Sequence, residues 1–539
     1  MTITLYPARR IITMNPSQPE GDCLAVKDGR VLSLGSLEQA RAFGEVTVDD
    51  RYADKVLMPG FVEGHSHALE GAIWEYIYLG WFDKQSPAGQ RWSGLRDVAS
   101  LQARLAEGLA RLTPGEPLIA WGFDPIYFSG ARLDKGLLDT VSDTVPIIVM
   151  HASLHVMTVN SAVIEQATIA SKEIDGIVRN AGGECVGELQ EMPAMHLVFD
   201  RYGIDFFEQA SQPEALRQYA RAARREGITT ITDLLNPLSD GAVESMRSTT
   251  LEPSFPVRLV PALNALGWAP EEGSEQLAKA MTQGHDKLVF GIVKLVTDGA
   301  IQNYTARLQW PGYLDVEGNG VWNAPPQTFH DMVLHYHQAG FQLHIHTNGD
   351  EAVEVMLDAL EEALCLWPRL NHRHTLQHVQ LIRQDQLYRV KQLDACLNIF
   401  ANHIYYWGDI HLSRTLGFDR CQRLEPTASA NRLDITFGIH CDAPVTPLSP
   451  LFTAHCAHRR QTASGAVLGV EEAINRQVAL EAITLGAART LHLDRHIGSL
   501  EPGKWADVVV LDDDPLDESI ALKDIRIHAT LLGGLPTDA

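Results

Sequence analysis

Residues able to hold a metal ion stand at or just beyond the ends of five short apolar runs. Residues 56–62 lead into Glu63-Gly64-His65-Ser66-His67, and 290–294 continue through Lys294 to Asp298-Gly299. Residues 341–345 end in His346, 375–377 in His378, and 435–441 in Asp442. Side chains at i and i+2 of a strand share a face, so His65 and His67 can address one ion. Strand ends that converge on one centre are what a (β/α)8 barrel supplies, with its chemistry at the C-terminal face. The pattern predicts a barrel metalloenzyme.

Eight runs can serve as the barrel strands: 56–62, 228–234, 256–263, 288–297, 341–347, 374–381, 395–403 and 435–442. Helical stretches such as 213–226 and 350–366 separate several of them, as βα repeats require. The gap between the first and second run is far longer than a βα connection. It carries strand-like pieces at 118–123 and 145–150, so an inserted subdomain is expected over about 70–212. Both chain ends read as β-structure, with Asp28-Gly29 as a hairpin turn between two alternating runs. The expected organisation is an α/β chain. A small β-sandwich domain forms from 1–57 and 488–539, and the barrel spans 58–487.

The formal charge is −24, from 44 basic and 68 acidic residues. That excess argues against a nucleic-acid groove or an anionic membrane surface, which need clustered Lys and Arg. Seven cysteines, odd in number and without a close pair, suit a reducing compartment better than a disulfide framework. No signal-peptide core and no membrane-length apolar run is visible, so a cytoplasmic enzyme is expected.

The chain resembles the amidohydrolase superfamily, in its amidohydrolase-3 or YtcJ-like branch. The resemblance rests on 59–67 (PGFVEGHSH), 227–230 (GITT), Lys294 with Asp298-Gly299, 346–350 (HTNGD), His378, Asp442-Ala443-Pro444 and 498–507 (GSLEPGKWAD). It implies a ligand set of His65, His67, Lys294, His346, His378 and Asp442. The donors suit Zn²⁺ or another divalent metal, as one or two ions, and the lack of cysteine ligands argues against a closed structural site. In related enzymes the lysine is carboxylated by CO₂ and bridges two ions, which Lys294 would do here. The implied reaction is hydrolysis of a non-peptide C–N bond by metal-activated hydroxide, with Asp442 as general base. Deamination or ester and lactone hydrolysis could use the same site, and a catalytically silent scaffold would be expected to have lost ligands. A homodimer is the partnership the resemblance implies; the other expected partner is a small-molecule substrate.

Two departures from the family pattern stand near the ligands. Glu63 occupies a position where the family often has Asp, and His440-Cys441 replace the usual small residue ahead of Asp442. His344, His374 and His440 are read as core or surface histidines, with His344 lying deeper than His346. Among the substrate contacts, His155 belongs to a family-like patch in the insert. Trp74 follows His67, while His403 ends the 395–403 run and Tyr405 and Trp407 follow it. Loops after barrel strands line the site, so these rings predict an apolar or aromatic substrate.

Overall fold

The structure, a computed structural model, describes residues 3–128 and 133–537. The outermost ends of the terminal segments, residues 1–2 and 538–539, lie outside the described residues, as do 129–132 of the insert.

Eight parallel strands form the central sheet in sequential order. They are β1 (Phe61–Val62), β2 (Ile228–Asn236), β3 (Arg258–Asn264) and β4 (Ile292–Val296). β5 (Gln342–Thr347), β6 (Thr375–His378), β7 (Cys396–Ile399) and β8 (Phe437–Ile439) complete it. β1 and β8 meet through backbone bonds just beyond their ends: Asp442 N–H donates to His65 O (3.1 Å) and His67 N–H to Ala443 O (2.9 Å). The seam is therefore closed at the C-terminal face by the residues that carry the chemistry.

Alternation sorts the strand residues. Val62, Val260, Ala262 and Ile292 form an inner cluster with Ala487, Ala488 and Leu491. Val293, Leu295, Leu343 and Ile345 instead join the large core shared with the helices. Both faces are covered, so the strands tolerate unbroken apolar runs. Lys294 is two residues from Ile292 and so shares its inward face.

Run 56–62 is two strands, which corrects the single strand expected from sequence. Val56–Pro59 pairs antiparallel with Val508–Leu511, and only Phe61–Val62 pairs with β2. The change of sheet occurs at Gly60, where an added Cβ would lie 2.1 Å from Thr229 Oγ1. A bare backbone is required for that approach.

The two chain ends do come together, in one mixed eight-stranded sheet that includes Ile3–Ile12, Glu20–Lys27, Val508–Leu511 and Ile527–Leu532. Hydrogen bonding joins all eight of its strands in one continuous network. Asp28 and Gly29, both at positive φ, turn the chain between two of its strands. The buried Arg258–Asp507 pair (2.6 Å) ties the sheet to β3. The insert builds a six-stranded sheet of its own, including Leu118–Phe123, Ile147–His151 and Cys185–Gln190. The seven cysteines form no disulfide, and no helix among the described residues is long and apolar enough to cross a membrane.

Candidate metal centre

The loop after β1 brings His65 and His67 to the centre. Glu63 fixes that loop by accepting backbone N–H groups from His65 (3.3 Å) and Cys441 (3.0 Å), which also links the ends of β1 and β8. Burial pushes the Glu63 carboxyl up to about 7. His65 Nδ1 lies 2.7 Å from Gln377 Oε1. An amide oxygen only accepts, so Nδ1 carries the proton and Nε2 offers its lone pair to the centre.

The other predicted ligands sit at strand ends. Asp442 follows β8, with Oδ1 3.3 Å from His67 Nε2 and 3.5 Å from His65 Nε2. Its Oδ2 is 3.7 Å from His378 Nδ1. His378 and Asp442 both hold positive φ values, 66° and 55°, which non-glycine residues adopt at a strain of order 1 kcal/mol or more. His346 Nε2 donates to Gly299 O (3.1 Å), which leaves Nδ1 with its lone pair. Burial holds the His65, His346 and His378 imidazoles well below the ordinary histidine pKa, so all three are neutral donors.

Lys294 Nζ is 3.4 Å from His65 Nε2, and the residue is only 1% exposed. Burial lowers its pKa to about 7, with the Asp442 charge working the other way. Burial alone would raise the Asp442 pKa, yet the adjacent His67 imidazole, with the His440 and Lys294 charges, holds it below its ordinary value.

The donors suit a cation. Buried His67 Nδ1, His378 Nδ1 and Asp442 Oδ1 have no hydrogen-bond partner among the described residues. Each such group costs about 1–3 kcal/mol if nothing meets it. Donor atoms of His65, His67 and Asp442 lie within 4.8 Å of one another, and imidazole with carboxylate is a zinc-type donor set.

The sequence profile of the Amidohydrolase family matches residues 53–537. The chain belongs to the amidohydrolase family. Among curated relatives, this amidohydrolase is 25% identical to YtcJ of Bacillus subtilis (strain 168), over 97% of each chain. It is 22% identical to the N-substituted formamide deformylase of Arthrobacter pascens, over 95% of this chain and 93% of that one. Its fold is similar to that of an uncharacterized metal-dependent hydrolase from Pyrococcus horikoshii OT3. The TM-score is 0.73 at 21% identity, covering 97% of this chain and 99% of the other.

A cavity of about 470 Å³ opens over the amidohydrolase centre, with His65, His67, Lys294, His346, His378 and Asp442 in its lining. His155 lines it too, its Nδ1 held 2.8 Å from Glu191 Oε2. Burial works against the charged imidazole, but the Glu191 charge and hydrogen bond leave the His155 pKa raised. Glu191 itself has φ 62° and also accepts from Asn323 Nδ2 (2.9 Å).

The other four predicted substrate contacts are not among the cavity's lining residues. Trp74 stands edge-on to Trp121 (5.0 Å) and donates to Glu70. Tyr405 packs edge-on to Phe452 (5.0 Å). Trp407 donates to buried Asp124 (2.7 Å), and His403 Nδ1 bonds Glu425 (2.7 Å). These contacts pack the insert and the helix that follows β7, Asn402–Ile410.

The apolar wall comes instead from Met192, Phe199, Phe206, Phe207 and Leu266. Sequence reasoning missed this wall, together with Gln377 and Glu191. The adjacent pair Phe206-Phe207 was the available signal for the wall. Gln377 offered only its place beside His378.

Proposed function

We propose that this amidohydrolase hydrolyses an amide-type, non-peptide C–N bond in a small substrate with an apolar or aromatic part. The observation that carries the reading is Asp442. Its partnerless Oδ1 lies among converging imidazoles on the floor of a cavity with an aromatic wall. The formamide deformylase acts, by its name, on N-substituted formamides, and such amides fit this pocket's chemistry.

A divalent ion, Zn²⁺ by its donor set, would be held by His65, His67, His346, His378 and Asp442; bound there, it lowers the pKa of water and polarises a carbonyl. Asp442 takes the proton of the attacking water and passes it to the leaving nitrogen, so the amine departs neutral. His155, oriented by Glu191, presents its remaining ring nitrogen to the substrate and hydrogen-bonds its oxygen. The Phe206 and Phe207 side holds the apolar group and excludes water. Lys294 as an ammonium would repel the ion; addition of its amine to CO₂, with release of a proton, gives a carbamate anion that suits a second ion.

Deamination is the second reading. A heterocycle needs several polar groups to read its ring edges, and Met192, Phe199, Phe206, Phe207 and Leu266 give this cavity an apolar wall, which favours amides. Amine release from aromatic N-substituted formamides and N-acyl amines, set beside ammonia release from aminopurines, tests the choice. Ammonia without amine would overturn it.

A further inference from the structure

His440 lies two residues before Asp442 and is fully buried. Its ring is sandwiched: Phe400 stacks on one side (4.8 Å, 21°) and His65 on the other (4.7 Å, 14°). His378 meets it steeply, at 5.0 Å and 64°. Neither ring nitrogen has a hydrogen-bond partner among the described residues. The His65 carbonyl lies close to the ring, but no hydrogen bond of ordinary geometry joins them.

For stacking alone, phenylalanine would serve better, because it leaves no buried nitrogen unsatisfied. The nitrogens are therefore the informative part of this side chain. Donor atoms of His65, His378 and His440 lie within 4.8 Å of one another, a group distinct from the one made by His65, His67 and Asp442. His378 Nδ1 and Asp442 Oδ1 are partnerless as well. A neutral imidazole offers one lone pair, and a divalent cation can meet that of His440 together with that of His378 Nδ1.

We propose that His440 is a further imidazole ligand of the metal centre, on its buried side and shared with His378. The proposal rests on the metal reading above. The near-parallel stack keeps the His65 lone pair from the spot that His440 addresses. His378, steeply inclined to His440, is the ligand that can share an ion with it. The departure from the usual small residue at this position thereby gains a chemical role.

The test uses the full chain, stripped of metal and titrated with Zn²⁺ and Co²⁺ against a chromophoric chelator. Wild type, His440→Phe and His440→Gln are compared. The Phe variant keeps the ring stack and removes only the nitrogens. It is expected to bind at least one ion about 10-fold or more weakly and to change the visible Co²⁺ absorption, with the Gln variant behaving alike. Unchanged stoichiometry, affinity and spectrum in both would overturn the proposal. Affinity lost with Phe but kept with Gln would assign hydrogen bonding instead of ligation and overturn it too. If the Phe variant does not fold by circular dichroism, the Gln variant decides, with unchanged binding counting against ligation. A wild-type chain that takes up no ion would refute the metal reading itself, whereas binding wild type with unaffected variants refutes His440 alone.

Discussion

His65 Nδ1 donates to Gln377 Oε1 at 2.7 Å, and this bond belongs to a chain that fixes the orientation of both groups. Asn398 Nδ2 donates to the same oxygen (3.0 Å), so the amide oxygen is set on that side. Gln377 Nε2 donates to His344 Nδ1 (2.7 Å), and His344 Nε2 donates to Thr490 O (3.0 Å). Every proton in the chain is placed, and the result is a lone pair on His65 Nε2 directed at the centre. His344, beneath His346 on the same strand face, acts as a support and its neutral form is secured by burial, with a pKa of about 3.

Gln377→Leu keeps the side-chain bulk and removes the acceptor for His65 as well as the donor for His344. The expected outcome is metal affinity weaker by about 10–100-fold, measured by chelator competition, with the fold retained. Unchanged affinity would show that His65 needs no such support.

Asp442→Asn keeps shape and removes the base. Turnover is expected to fall by about 10²–10⁴-fold while bound metal is largely retained. Elemental analysis and amine release on the same preparation check both halves.

Glu191→Gln leaves His155 without its carboxylate. The expected result is a lower kcat/KM with metal content unchanged, and a pH profile in which the limb due to charged His155 moves to lower pH. The sign follows from the raised His155 pKa, which depends on the Glu191 charge.

Phe207→Ala shortens the apolar wall. Burying an aromatic group is worth about 1.5–3 kcal/mol, so kcat/KM should fall about 10–100-fold for an aromatic amide and little for formamide itself. Equal losses on both would place the substrate's apolar part elsewhere.

His411 tests acid stability away from the centre. Its nitrogens are engaged by Gln380 and Thr415 (2.8 Å each), and burial lowers its pKa to about 3. The unfolded chain therefore takes the proton first, and stability is lost as pH falls from about 6.5 towards 3, at up to about 1.4 kcal/mol per pH unit. His411→Gln should show a shallower fall of the urea midpoint between pH 7 and pH 5 than wild type.

The strand-end residues of the candidate centre were legible because their signal is local. His65 and His67 stand two apart, and His346 and His378 each end a short apolar run whose strand the structure reproduces. Gln377 was not legible, since its bond to His65 joins positions 312 residues apart. Trp74, Tyr405 and Trp407 follow barrel strands in sequence, but proximity does not say which side of the rim a ring takes. The docking of the insert decides that, and it turns Phe199, Phe206 and Phe207 towards the cavity instead. The strand break at Gly60 depends on contact with Thr229, again a tertiary fact.

Converging imidazoles and Asp442 are proposed to make a metal-dependent C–N hydrolase. The most direct measurement is amine release from an aromatic N-substituted formamide by stripped protein, titrated with Zn²⁺. Without metal no release is expected; with it, release should rise to a plateau at one or two ions per chain, and almost none should come from Asp442→Asn loaded with the same metal. Release that ignores metal, or equal release from the Asn variant, would contradict it.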